Sequence, residues 1–511
     1  MIEDITLRNF RSWRDEHRIV LRPLTFLYGP NSSGKSSILT ALSLLRQTLE
    51  QANGLTVSLV PVGDHTDVGD FRTLVHNHET DRVLTIGISY RVNAAEHPSL
   101  HNLGNGRRVT ADFVFDDTQS SKCVLSRFTL EIEGQPTAGM ADAAEDQASP
   151  SLSFERMDGG GYRLINFDPL NRLFPQPPQP ASDREDESGV ILQQQTERLS
   201  ALLAIPSVTV FSFVQGFPAA ASTSQEQLSK YEESNDHKIN ANALLYWYEL
   251  WATLCQELAQ ELRAVLSSVR HLGPIRKPPE RVMLGNAIGG NETDVGPTGE
   301  YILRVLAPSF HRTENDPESG KKSMLARVNH WLEDNDYCYT VDIGHGGDAA
   351  VGDIAWLKLK DSRLGIEVSP KDVGSGISQS LPIIVQLIAA QQQKLIMMIE
   401  QHEVHLHPRL VVKITQLMCD TVQANAGSQV ICETHSPEAF LRLANRVALK
   451  EIDLTNVSVL FVEVQVASGL TSVGSSELVP VPLNKYGGLD DEWPDPNGFF
   501  RERLDETRVK R

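Results

Sequence analysis

The chain has 511 residues, 40% of them hydrophobic, 22% charged and 6% aromatic, and its net charge is −19. Such a balance excludes wholesale disorder, a collagen-like fibre and a small disulfide scaffold, and at roughly 100–200 residues per domain it predicts two to four folding units. With 47 basic against 66 acidic residues a whole-surface coat for nucleic acid is excluded, because neutralising phosphates takes clustered Lys and Arg.

In chain order, Ile2–Leu7 alternates as a strand does, and Leu24–Leu27 is a short buried run. Ser36–Leu49 places Ile38, Leu42 and Leu45 at helical spacing. The runs Val83–Tyr90, Val109–Phe115 and Phe128–Ile132 predict β-structure. From Glu133 to about Gln195 the composition turns to Pro, Ser, Gly and acid and predicts loop. Residues 196–270 are expected to be helical, above all Ala241–Val269, where Leu244, Leu245, Trp247, Leu250, Leu254 and Leu258 form a stripe best read as a packed core face. A Gly- and Pro-rich stretch fills 273–300, after which 323–475 alternates helix and strand. The apolar runs Leu381–Ala390 and Leu395–Ile399 fall short of the ~20 residues that span a bilayer. The start MIEDITLRNF carries no leader pattern, and the five cysteines (Cys123, Cys255, Cys338, Cys419, Cys432) form no CxxC pair, so a reduced, cytoplasmic protein without a membrane partner is expected.

The strongest motif is Gly29-Pro30-Asn31-Ser32-Ser33-Gly34-Lys35-Ser36, a G-x-x-x-x-G-K-S between a strand and a helix. Its glycines let the backbone wrap phosphate oxygens while successive N–H groups and the helix N-terminus supply positive potential. Lys35 would reach the β- and γ-phosphates, and Ser36 would ligate Mg²⁺. This predicts nucleotide binding. About 360 residues later Leu395–Ile399 ends in Glu400, a buried parallel strand delivering a carboxylate to its C-terminal edge, where Glu400 is placed to hold Mg²⁺ and Glu403 to polarise water. His405 and His407 stand two apart, but catalytic zinc usually takes three protein ligands, so structural hydrogen bonding is expected of them. Val430–Cys432 runs into Glu433-Thr434-His435-Ser436, where His435 is expected near the γ-phosphate. Asp372–Pro382 puts Ser375 and Gly376 at the start of an apolar helix, a second anion site or a plain cap.

Taken in this order, NFRSW, the P-loop, a long insertion, DVGSGISQSLP, the Glu400–Pro408 segment and ETHS resemble the ABC-type ATPase class that includes the OLD-family nucleases and the ATPases of antiphage systems such as Septu. The branch with a C-terminal W-P-x-G-F-F motif is the most similar; Trp493–Phe500 matches it with two extra residues. The resemblance covers roughly 1–80 and 270–500. It implies an α/β ABC-type P-loop ATPase head with a mixed sheet flanked by helices, divided as 1–133 and 271–475 around a loop-rich then helical insertion, 134–270, with a tail at 476–511. It further implies ATP sandwiched between two copies, with Asn31, Ser33, Gly34, Lys35, Ser36 and Ser37 on the phosphates in cis, Arg11 nearby, Ser375 and Gly376 reaching the other copy's γ-phosphate, and His435 as the switch histidine.

Two departures sharpen the expectation. Gln401 occupies the position of the catalytic base and cannot abstract a proton, which leaves Glu403 as base and predicts slow turnover. The 76 residues after His435 lack the acid-rich constellation of an OLD-type nuclease domain, so a separate nuclease-type effector is expected as partner, alongside a homodimer or higher oligomer. An SMC-like DNA-binding ATPase is the alternative. It would need long coiled-coil arms, and residues 80–370 hold no sustained heptad repeat.

Overall fold

The computed structural model describes residues 1–54, 56–92, 106–118, 122–133, 151–158, 162–167, 211–214, 217–220, 256–279, 282–284, 293–309, 323–348, 352–465, 474–490 and 493–494. Its centre is a six-stranded sheet. Strand Leu24–Tyr28 lies between Gln429–Glu433 and Val457–Gln465, with Ile396–Glu400 and then Val269–Leu272 beyond the former, all parallel. Ser475–Pro480 closes the other edge antiparallel. These strands read as unbroken apolar runs because both their faces are covered. Leu24, Phe26, Met397, Ile399 and Cys432 point into one core, while Leu27, Ile396, Met398 and Ile431 point into another.

Helix Lys35–Gln51 fills the space between this sheet and a second one. Its predicted stripe of Ile38, Leu42 and Leu45 is buried, and so are Leu39, Leu44 and Leu49, because it is enclosed on two sides. Burial forces its polar Gln47 to find partners: the side-chain amide donates to Val60 O at 2.7 Å and accepts from the N–H groups of His65 and Thr66 at 3.0 Å each. The second sheet is antiparallel throughout and has ten strands among the described residues. Its order runs Phe217–Ala220, Phe211–Val214, Tyr162–Phe167, Ser151–Arg156, Lys122–Ile132, Arg108–Thr118, Leu84–Arg91, Ile2–Arg8 and His17–Val20, with Asn53–Gly54 beside Phe211–Val214.

The strands expected at 83–133 are therefore present, and the N-terminal strand joins this sheet rather than the P-loop sheet. Two expectations change. The stretch read as loop contains strands Ser151–Arg156 and Tyr162–Phe167, and the stretch read as helical contains the hairpin Phe211–Val214 and Phe217–Ala220. The aromatic and β-branched residues of Phe211–Val214 favour strand, and an existing sheet edge supplies hydrogen-bond partners. Residues 256–267 are helical as expected, and Leu258, Leu262 and Leu266 are buried in the core between the sheets. The rest of the stripe lies outside the described residues.

On the far face of the central sheet pack helices Ser375–Ala390, Pro408–Ala424 and Pro437–Ala448. A small sheet of Val282–Leu284, Gly352–Asp361, Tyr339–Asp348 and Glu367–Val368 adjoins them. No helix among the described residues is long and apolar enough to cross a membrane.

Of the tail motif, Trp493 and Pro494 are described. The Trp493 ring is buried edge-on against Tyr28, Phe440 and Phe461, with centroids 5.5, 5.4 and 5.8 Å away. It thus braces the C-terminal end of the P-loop strand. Trp493→Phe shrinks this plug without removing an aromatic face, so a stability loss of about 1–2 kcal/mol is expected in denaturant melts, between a volume-conserving swap and a full truncation.

Candidate functional site

The P-loop follows strand Leu24–Tyr28 at its carboxyl end, where open α/β sheets bind ligands. Two glycines are required by geometry. Gly29 (φ 140°) sits so close to the Val462 carbonyl that any Cβ would collide with it. Gly34 (φ 101°) caps the helix in the left-handed region, with the Ser12 and Ser476 hydroxyls where a Cβ would stand. The loop is tied from outside as well. Trp13 Nε1 donates to Gly34 O at 3.2 Å, and Ser476 Oγ donates to Ser33 O at 2.7 Å.

A cavity of about 380 Å³ opens over this loop. The six residues expected on the phosphates in cis, Asn31, Ser33, Gly34, Lys35, Ser36 and Ser37, line it with Arg11, expected nearby, and with Gln401 and Glu433. Lys35 Nζ donates to the carbonyls of Gly29 (3.1 Å) and Pro30 (2.7 Å) and lies 3.8 Å from Glu433 Oε1. Burial lowers the Lys35 pKa, against the pull of Glu433 and Glu403. Ser36 Oγ donates to Glu433 Oε2 at 2.7 Å. Arg11 (φ 51°) reaches Thr40 Oγ1 at 3.4 Å.

Glu400 and Glu433 are register partners at the ends of adjacent strands. The Glu400 carboxylate faces His271, with Oε1 2.7 Å from Nε2, and Arg276 Nη2 donates to the Glu400 carbonyl at 2.6 Å. Arg276 is 3% exposed, and Nε and Nη1 have no hydrogen-bond partner among the described residues. Burial brings its pKa down to about 10. Its own carbonyl accepts from Gln379 Nε2 at 2.9 Å, so one segment links the helix that begins at Ser375 to the end of the Glu400 strand.

Gln401 turns the chain in the left-handed region (φ 45°) and donates its N–H to Glu433 O at 2.8 Å. Glu403 is fully engaged: Oε1 accepts the His435 N–H at 2.6 Å and Oε2 the Thr434 hydroxyl at 2.7 Å. Burial, and Lys35 beside it, lower the His435 pKa against the pull of Glu403, and its Nε2 has no partner among the described residues. His402 is buried within 3.4 Å of Thr415 Oγ1 and Cys432 Sγ. His405 and His407 lie in the turn before helix Pro408–Ala424, not in a strand. His407 caps that helix, its Nδ1 accepting from Arg409 N at 3.2 Å, which is the structural role expected of it. No group of three metal-ligating side chains occurs among the described residues.

Ser375 and Gly376 are not brought to the P-loop. They begin helix Ser375–Ala390 with Ser375 exposed, and Gly376 lines a separate cavity of about 580 Å³ with Tyr337, Tyr339, Arg363, His405, Arg409 and Lys413.

Glu433 was absent from the residues read as functional, although it ends an apolar run just as Glu400 does; that pattern was its signal. His271 and Arg276 carried no local signal, since only strand pairing and loop packing bring them to Glu400.

The donor set suits Mg²⁺, a hard cation that takes oxygen ligands: the Ser36 hydroxyl and the Glu433 carboxylate meet at the P-loop cavity, with Glu400 at the end of the adjacent strand. When bound, the ion would neutralise charge on the β- and γ-phosphates. Lys35 and the helix N-terminus supply the positive cradle.

Fold and site together define a P-loop nucleotide-binding protein whose second acid-bearing strand stands two places from the P-loop strand. Residues 1–245 match the family model described as AAA ATPase domain, and residues 351–441 match a model described as an AAA domain in connection with the AbiEii toxin of type IV TA systems. Two segments of the chain are thus similar to AAA-type ATPase domains. No curated protein matches it. Among solved structures it is similar, at 10% identity and TM-score 0.38, to an SmcHead bound to the C-winged helix domain of ScpA, over 94% of this chain and 97% of that one. The SMC head domain from Thermotoga maritima aligns over 94% and 99% at 10% identity, with a TM-score of 0.33. Scores of this size leave the assignment to the site and the family models.

Proposed function

We propose that this protein is an ATP-dependent switch that closes into a dimer around nucleotide, hydrolyses it slowly, and acts in antiviral defence with a separate nuclease-type effector. The observation that carries the reading is the division of the site: the phosphate-binding residues line one cavity, while Ser375 stands exposed at the start of a separate helix and its neighbours Gly374 and Gly376 line a second cavity. A second copy presenting its Ser375 loop would complete the first copy's cavity. The resemblance of the motif order, and a family model described with a toxin, support the defence setting.

In this reading Lys35 and the P-loop N–H groups bind the phosphates, and Ser36 with Glu400 holds Mg²⁺. His435 meets the γ-phosphate through Nε2, which has no partner among the described residues. Glu403 takes the proton from the attacking water, which Gln401 orients. Turnover is slow because Gln401 is no base and Glu403 is held by the Thr434–His435 turn.

Ser375→Arg is expected to abolish ATP-dependent dimerisation in sedimentation runs while leaving ATP affinity of the monomer within about threefold, since the residue lies outside the P-loop cavity. A variant that still dimerises with ATP overturns the two-copy arrangement. For the effector, the tagged protein is expressed with its neighbouring genes and purified with and without ATP. A stoichiometric nuclease-like partner supports the defence reading. Purification alone, with salt-dependent gel shifts on DNA, favours an SMC-like DNA-binding ATPase instead.

A further inference from the structure

We propose that Glu433 is a ligand of the divalent cation at the P-loop, sharing it with Ser36, so that the cation is held by the strand ending in ETHS as well as by the Glu400 strand. This rests on the ATP reading above and names a residue that neither the P-loop pattern nor the Glu400 pattern assigns.

Three observations converge on it. The first is geometric. Ser36 Oγ and Glu433 Oε2 stand 2.7 Å apart. Two oxygens roughly 3 Å apart are what neighbouring corners of an octahedron with metal–oxygen bonds of about 2.1 Å require. The pair is therefore spaced to share one small cation.

The second is orientation. Glu433 lines the P-loop cavity at 4% exposure, whereas Glu400 does not line it and is engaged by His271 at 2.7 Å. The third is charge. Glu433 is crowded by Glu400 and Glu403 at buried strand ends, and Lys35 at 3.8 Å is the nearest cation. The same cavity holds Ser33 Oγ, fully buried and without a hydrogen-bond partner among the described residues, as a site shaped for an oxygen-rich ligand would leave it.

The test uses Mn²⁺ as a paramagnetic probe and ADP, which avoids turnover, on the full-length chain. Glu433→Gln keeps the shape and the acceptor for Ser36 but removes the charge. It is expected to weaken Mn²⁺ binding in the presence of ADP at least tenfold, read by electron paramagnetic resonance, while ADP affinity in EDTA stays within about threefold. Glu433→Asp, which keeps the carboxylate but draws it back by one methylene, is expected to fall in between, and it carries the test should the Gln variant fail to fold. Mn²⁺ affinity unchanged within twofold overturns the proposal. So does ADP binding that tightens equally with and without metal, the signature of a carboxylate that merely plugs the loop. Failure of the wild-type chain to bind ADP at all would instead overturn the nucleotide reading on which the proposal stands.

Discussion

Lys35→Met is expected to lower ATP turnover roughly 10²–10³-fold, the cost of removing one positioned charge donor from a developing anion. ATP affinity should also fall, by about 1.5–3 kcal/mol, the range of hydrogen bonds to charged groups. Both follow from the reach of one side chain. In the resting site Lys35 Nζ is held by the carbonyls of Gly29 and Pro30 at the mouth of the cavity, and swinging it onto a phosphate exchanges two neutral acceptors for a charged one. Methionine preserves the buried stem, so the loss reads the charge rather than a cavity in the fold. Glu433 then loses its nearest cation at 3.8 Å, while burial holds its pKa above the ordinary carboxylate range. Isothermal titration with ATP and a phosphate-release assay separate the two effects. Turnover within threefold of the wild type would remove Lys35 from the catalytic site.

Glu403→Gln is expected to abolish residual hydrolysis, about 10²–10⁴-fold, with ATP affinity unchanged, because general-base catalysis contributes on that scale and the residue lies outside the phosphate cradle. The substitution keeps an oxygen to accept from His435 N or the Thr434 hydroxyl, so the Thr434–His435 turn should hold its place. A variant that binds but does not cleave ought to accumulate as the ATP-bound dimer, visible by light scattering. Hydrolysis at the wild-type rate would reassign Glu403 to bracing the switch turn, a role its two short hydrogen bonds already perform.

Much of the site was legible along the chain because its parts are local. A P-loop is one continuous segment whose glycines and lysine must sit at fixed spacing, and a buried parallel strand ending in acid announces itself as an apolar run. Both were placed correctly, at Leu24–Tyr28 and Ile396–Glu400. So was the described end of the helical stripe, where Leu258 is buried in helix 256–267, since a periodic apolar face has to meet a core. The strands inside the insertion were not legible. Short runs such as Phe211–Val214 are stabilised by an edge that already exists, and that edge is built by residues far away in sequence.

The sequence by itself determined the P-loop and its place: strand, glycine loop, Lys35 and Ser36 are consecutive, so backbone geometry alone assembles them. What only the tertiary structure decided is which acids and cations meet there. The sheet order places Gln429–Glu433 between the P-loop strand and the Glu400 strand. That adjacency, created by hydrogen bonding across some 400 residues of chain, sets Glu433 against Ser36 and turns Glu400 toward His271. It also leaves Ser375 on another face, because helix Ser375–Ala390 must bury its apolar side on the sheet and can offer only its N-terminus outward.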